Sequence, residues 1–302
     1  MLIDEIKIFS NEIKSKINFD YDLKKSNWFN IGGKTKVYFK PESLSDLVLF
    51  LKKFGTKNKI FTLGAGSNTL INDTIFDGIV IKLGRIFSNT SLLPNGTIVA
   101  GSACSDKKLS EFAFENEISG LEFLSCIPGT VGGGLRMNAG CFKREFKDIL
   151  VSVQAIDRSG KVVTISANNI LFEYRNNDLS EDLIFLSASF RGEKKDRKKI
   201  EKEMKKLKNT KEKAQPTKIK TSGSTFKNPI NQTKKKVWEL IRESVPINTS
   251  FGDAHISKKH SNFFVNKNNA SFNDMKKLIE FVTKSVEEKT GIKLEKEIKI
   301  LE

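Results

Sequence analysis

The segment from Ser125 to Gly140, SCIPGTVGGGLRMNAG, concentrates Gly129, Gly132, Gly133, Gly134 and Gly140 in one short run. A glycine in regular structure costs roughly 0.5–1 kcal/mol, because it loses the most chain entropy and packs nothing in return. The run is therefore expected to be a loop, neither a helix interior nor a sheet edge. Such a loop is tolerated where the main chain must come close to something large. A second glycine loop, LGAGSN at 63–68, follows the apolar run KIFTLG. Its successive N–H groups and its Ser67 hydroxyl could cradle a phosphate as a backbone nest does. Taken alone, it reads rather as a tight turn between strands.

Two further patterns are decoys. Gly33-Lys34-Thr35 ends like a phosphate-binding P-loop, but the position five residues before Gly33 is Trp28 where that loop needs glycine. LGAGSN lacks the third glycine of a dinucleotide-binding crossover, since position 69 is Thr, and no helical run follows it. Two glycine loops beside strands, without either fingerprint, suit a diphosphate bridge pinched from two sides. The residues alone carry the argument to a nucleotide-like cofactor.

The rest of the chain narrows its class. With 302 residues it can bury a large core and form two or three domains. No apolar run approaches a membrane span, and MLIDEIKIFSNEIKSKI reads as an amphipathic helix over 1–18, not a signal peptide. Cys104, Cys126 and Cys141 have no metal-ligand spacing, which points to reduced thiols in the cytoplasm and to no metal site. The net charge of +16 raises a nucleic-acid partner. Its lysines are spread along the chain, however, and no nucleic-acid motif accompanies them. The densest run, 193–213, spaces Ile200, Met204 and Leu207 as one buried stripe of a solvated helix.

A coarse reading gives an α+β chain. Strands are expected at 36–41, 59–64, 78–83, 96–101 and 183–190, with a hairpin over 151–166 turning at Ser159-Gly160. Helices are expected at 43–55, 106–120, 193–213, 235–244 and 273–290, and further strands near 224–227, 262–266 and 294–301.

Five segments, in order, carry a resemblance: LGAGSNTLINDTIFDGIVIKL, SGLEFLSCIPGTVGGGLRMNAGCF, FEYRNNDL, SGSTFKNP and LEKEIKIL. Together the chain resembles the UDP-N-acetylenolpyruvoylglucosamine reductase family, in its shorter class, over about residues 22–302. Residues 1–20 are read as an N-terminal helix, and the resemblance implies an FAD-binding domain of the vanillyl-alcohol-oxidase type (21–192, with halves 21–85 and 86–192). A smaller α+β substrate-binding domain (193–302) would follow. It implies non-covalent FAD held by Gly64, Ala65, Gly66, Ser67, Asn68, Pro128, Gly129, Thr130, Gly132, Gly133 and Asn138. NADPH would be the reductant and a UDP-sugar the substrate, in a cytoplasmic monomer of cell-wall synthesis.

The same resemblance implies a catalytic set. Arg175 would face the charge that develops on the substrate carboxylate, a role suited to a planar cation that keeps its proton. Ser224 would donate the proton, and Glu297 would assist. Alternation also puts Glu295 on the face of Glu297, and the resemblance selects Glu297. Lys227, Asn228 and Lys299 would hold substrate, with Lys299 standing where the family usually has arginine. The two histidines, His255 and His260, lie far in sequence from the glycine loops, so a histidine-linked flavin is not expected.

Overall fold

Ser43 shows how local signals become elements here. Its side chain accepts from the Asp46 N–H and starts the helix Leu44–Phe54, which ends at Gly55 and buries Leu47, Phe50, Leu51 and Phe54. The helix Phe272–Thr290 is framed likewise. Ser271 and Asp274 form a reciprocal capping box, and Gly291 closes the helix at φ +71°. The computed structural model describes residues 2–216 and 219–302. It divides the chain into two compact units, each assembled from several segments.

The first unit comprises Met1–Asp20, Lys36–Ala65 and Asp77–Lys211. A four-stranded sheet runs in the order Lys16–Asp22, Lys34–Lys40, Phe76–Ile81, Ile60–Thr62, its last pair parallel. Phe39, Phe50 and Phe54 pack beneath it with Phe9 and Ile6. An antiparallel five-stranded sheet has the order Val162–Ser166, Leu150–Ile156, Ile184–Phe190, Ile98–Gly101, Thr90–Leu92. Its core gathers Leu109, Phe123, Leu124, Val131, Phe146 and Phe190.

The second unit comprises Tyr21–Thr35, Gly66–Phe76 and Glu212–Glu302. The helices Val237–Ser244 and Phe272–Thr290 bury Leu240, Ile241, Met275, Leu278 and Val282. A three-stranded antiparallel sheet, Ser250–Phe251, Ala254–Ile256 and Phe264–Asn266, accompanies them. The strands Thr69–Ile71 and Lys299–Leu301 pair in parallel. Phe29, Ile31 and Leu70 enter the same core from the two N-terminal segments.

Three expectations need correction. The helix expected over 1–18 ends at Phe9, and Lys16–Asp22 is a strand, because Ile17, Phe19 and Tyr21 alternate with polar neighbours. The strand expected at 224–227 exists only as isolated bridges, Ser224 to Phe263 and Phe226 to Lys296. The glycine run is not all loop either. Val131–Arg136, VGGGLR, is a short helix capped by Thr130. A Cβ on Gly134 would lie 2.4 Å from the Phe146 ring, and one on Gly132 would lie 3.0 Å from Ser102 Cβ. Glycine is needed in that helix because its neighbours pack onto the backbone itself.

The charged segment forms the helix Arg197–Ala214 with Ile200 and Leu207 buried. Ion pairs such as Lys205–Glu201 at 2.6 Å lace its exposed face. No helix among the described residues is long and apolar enough to cross a membrane.

Candidate active site

Gly64, at the start of one glycine loop, meets the other loop inside the first unit. A Cβ on Gly64 would come 2.8 Å from Thr130 Oγ1. The second loop lies main chain to main chain on the segment before the helix Asp106–Glu115. Val131 N–H donates to Cys104 O and Gly132 N–H to Ser102 O, both at 2.9 Å, while Asp106 N–H reaches Gly129 O at 3.3 Å. Pro128 and Gly133 are exposed. A Cβ on Gly133 would meet only Thr130 Oγ1, at 3.5 Å. This face therefore presents bare backbone to whatever approaches it, and it fits a large planar or diphosphate-bearing group. In the second unit, Gly66 (φ +66°) is pinned where a Cβ would lie 2.3 Å from the Ser26 carbonyl, and its own carbonyl accepts from Trp28 N–H at 3.0 Å.

Arg175 sits in a two-residue hairpin between Phe172–Glu173 and Asn176–Asn177. Its φ of +59° lies in the left-handed region, which costs a non-glycine residue about 1–2 kcal/mol. Its guanidinium donates to the Gly140 carbonyl at 2.7 Å, stands 3.8 Å from Glu145 Oε1 and stacks 4.9 Å from the Tyr174 ring. Two asparagines bind this hairpin to the glycine helix. Asn177 Nδ2 donates to the carbonyls of Leu135 and Arg136, the C-terminal end of that helix. Asn138 Nδ2 donates to Glu173 O at 3.0 Å and Glu145 Oε2 at 3.1 Å, while its Oδ1 accepts from Lys147 N–H.

Asn138, expected beside the flavin, is fully buried. Its amide is spent on protein groups, so it braces the Arg175 hairpin. The role of Asn177 was not read from the sequence, although it stands inside FEYRNNDL.

The thiols near this assembly are free. Burial pushes Cys141 up to about 12 and Cys104 up to about 11, so both stay protonated at neutral pH. Lys211, also missed, donates to the Cys126 carbonyl at the start of the IPG turn.

In the second unit, Ser224 and Glu297 come together through Thr225. Thr225 N–H donates to Asn262 O and its carbonyl accepts from Glu297 N–H, both at 2.8 Å. Asn262 closes the arrangement by pairing both main-chain groups of Phe226 through its side chain. Ser224 and Glu297 are half-buried, whereas Glu295 is exposed and ion-paired to Lys227 at 2.5 Å. The two glutamates that alternation could not separate thus have different surroundings. The Asn228 side-chain oxygen Oδ1 accepts from Val237 N–H at the start of the helix Val237–Ser244. Lys299 is exposed, with its N–H held by the Asn68 carbonyl.

His260 lies between the rings of Trp238 (6.3 Å) and Phe263 (4.8 Å), and burial lowers its pKa, so the ring is neutral. No cluster of metal-ligating side chains occurs among the described residues.

Comparison with known proteins decides the family. The model described as UDP-N-acetylenolpyruvoylglucosamine reductase, C-terminal domain, matches residues 215–301, and one described as FAD binding domain matches 35–166. A UDP-N-acetylenolpyruvoylglucosamine reductase of Pelagibacter ubique is 72% identical over 301 residues, covering 100% of both chains. The chain belongs to this reductase family. A Rickettsia canadensis reductase is 42% identical over 95% of this chain and 96% of its own. The crystal structure of the Thermus caldophilus reductase superposes with a TM-score of 0.81 at 27% identity, covering 96% of this chain and 99% of that one.

The fold is accordingly α+β, with an FAD-binding domain of the vanillyl-alcohol-oxidase type and the reductase C-terminal domain. The reductase is an FAD oxidoreductase of peptidoglycan synthesis.

Proposed function

We propose that this reductase converts UDP-N-acetyl-3-O-(1-carboxyvinyl)-glucosamine to UDP-N-acetylmuramate with NADPH, using Ser224 as the proton donor. The observation that carries the reading is the Thr225 junction, which holds the Ser224 segment 2.8 Å, main chain to main chain, from Glu297. FAD would be held without a covalent bond by Gly64, Ala65, Gly66, Ser67, the main chain of Asn68, Pro128, Gly129, Thr130, Gly132 and Gly133. Bound FAD, reduced by NADPH, would supply a hydride for the terminal carbon of the enolpyruvyl ether.

That addition drives negative charge onto the substrate carboxylate. Arg175 is assigned to this charge. Its fork is pre-aimed by Gly140 and Tyr174, so little reorganisation is needed as the charge develops. Ser224 then gives its proton to the neighbouring carbon. A hydroxyl is a weak acid, and it serves here because the carbon it protonates is strongly basic. Glu297 is assigned to assist that proton movement. Lys227, Asn228 and Lys299 are assigned to substrate binding. Lys227 would exchange its exposed partner Glu295 for substrate oxygen. Lys299 contributes charge without the two-pronged geometry of arginine. The reading further takes the enzyme to be a cytoplasmic monomer whose partners are the UDP-sugar and NADPH.

The test is an anaerobic flavin spectrum followed through both half-reactions. The flavin band is expected to bleach with NADPH and to return only with the enolpyruvyl substrate. Ser224→Ala should keep the first half and slow the second by about 10²–10⁴-fold, the usual worth of a positioned acid. Return of the band with air alone would point to an oxidase, and loss of the first half-reaction in Ser224→Ala would remove Ser224 from its role.

A further inference from the structure

Asn68 belongs to the glycine loop assigned to the flavin, yet its bonds lead to Glu297. Its Nδ2 donates to the Glu297 carbonyl at 2.9 Å, and its own carbonyl accepts from Lys299 N–H at 2.9 Å. The next residue, Thr69, opens the strand that pairs in parallel with Lys299–Leu301. The Thr69 carbonyl accepts from Ser222 Oγ at 3.3 Å, and Ser222 is buried two residues before Ser224. Residues 68 and 69 therefore touch both arms of the acid pair, one at Glu297 and the other at Ser222.

We infer that Asn68 is a positioning residue for the protonation half-reaction, fixing the Glu297 main chain against Thr225 and so setting the spacing of Glu297 from Ser224. This rests on the roles assigned above to those two residues. Glu297 is held on one side by its N–H on the Thr225 carbonyl and on the other by its carbonyl on Asn68. The paired strand beyond Glu297 is only three residues long, too short to hold that position unaided. A side-chain amide suits the place because it donates across the gap while the Asn68 carbonyl accepts from Lys299. Aspartate has the same shape but no donor, and its oxygen would face the Glu297 carbonyl.

The experiment compares Asn68→Asp and Asn68→Ala with the parent enzyme by FAD titration and by anaerobic stopped flow of both half-reactions. Each change is also made in a Glu297→Gln background. FAD affinity and reduction by NADPH are expected to stay within about threefold, while reoxidation by the enolpyruvyl substrate slows by about 10–100-fold, the scale of a misplaced catalytic group. In the Glu297→Gln background the same changes should cost less than about threefold, because the carboxyl they position is gone.

A tenfold loss of FAD affinity with normal reoxidation per bound flavin would make Asn68 a cofactor ligand and overturn the inference. So would a slowing that persists in full without Glu297. Glu297→Gln reoxidising at the parent rate would remove Glu297 from catalysis and this inference with it. A slow Glu297→Gln beside unaffected Asn68 variants would overturn only the inference. Should either Asn68 variant fail to fold, Asn68→Ser, which shortens the side chain so that it no longer reaches the Glu297 carbonyl, is read in the same way.

Discussion

Asp106 is a carboxyl group whose charged form burial disfavours. It occupies the first turn of the helix Asp106–Glu115, has no exposed surface, and neither side-chain oxygen has a hydrogen-bond partner. Burial pushes its pKa well above the ordinary 3.8, so over the range in which the unfolded carboxyl ionises the folded protein keeps a proton that the unfolded chain releases. The sign follows from that difference. Below about pH 4 both states are protonated and the titration of Asp106 contributes nothing. As pH rises above that value the folded state loses about 1.4 kcal/mol per unit, until the buried group itself ionises. Asp106→Asn is therefore expected to raise Tm at pH 7–8 and to match the parent near pH 4. Thermal melts of both proteins across that range check it, and a gain of equal size at every pH would show that titration is not the cause.

At the scale of elements, the glycine helix Val131–Arg136 separates two effects of the same substitution. In an ordinary helix Gly→Ala gains up to about 1 kcal/mol. Gly134→Ala instead drives a methyl to 2.4 Å from the Phe146 ring, which is fully buried and packs edge-on against Phe190. That overpacking is expected to cost about 1–3 kcal/mol. Gly133→Ala has ordinary space, 3.5 Å from Thr130 Oγ1, and should leave the apoprotein as stable or more so. It should also weaken FAD at least about tenfold, the loss of one close approach at about 1.4 kcal/mol per decade. Apoprotein melts and FAD titrations of the two variants read both outcomes. The helix was not legible in sequence for the same reason that it exists. Glycine's penalty is local, whereas the reward for a missing side chain lies at Ser102 and Phe146, distant in sequence. Helices framed by Ser43 and Gly55, or by Ser271 and Gly291, were legible because their signals are local.

For the whole molecule, the order of motifs revealed the family, but a single cut at 192/193 conceals how the second unit is built. That unit takes Tyr21–Thr35 and Gly66–Phe76 from the N-terminal part of the chain. Nothing in the local pattern of SNWFNIGG or SNTLIND says that its apolar residues belong to a core whose helices begin more than 150 residues later. Phe29, Ile31 and Leu70 are essentially unexposed there. Asn266 donates to the Phe29 carbonyl at 2.8 Å, and Asp73 accepts from Phe272 N–H at the start of the last helix. Burying three such side chains contributes about 5–9 kcal/mol, comparable with the roughly 5–15 kcal/mol of a whole domain. A fragment of residues 212–302 lacks all three, together with the strand that pairs with Lys299–Leu301. It is expected to keep helical signal in the far ultraviolet without a cooperative thermal transition or dispersed amide resonances. The intact chain should show both. A sharp transition in the fragment would mean that the C-terminal segment carries a sufficient core of its own, and that Phe29, Ile31 and Leu70 merely decorate it.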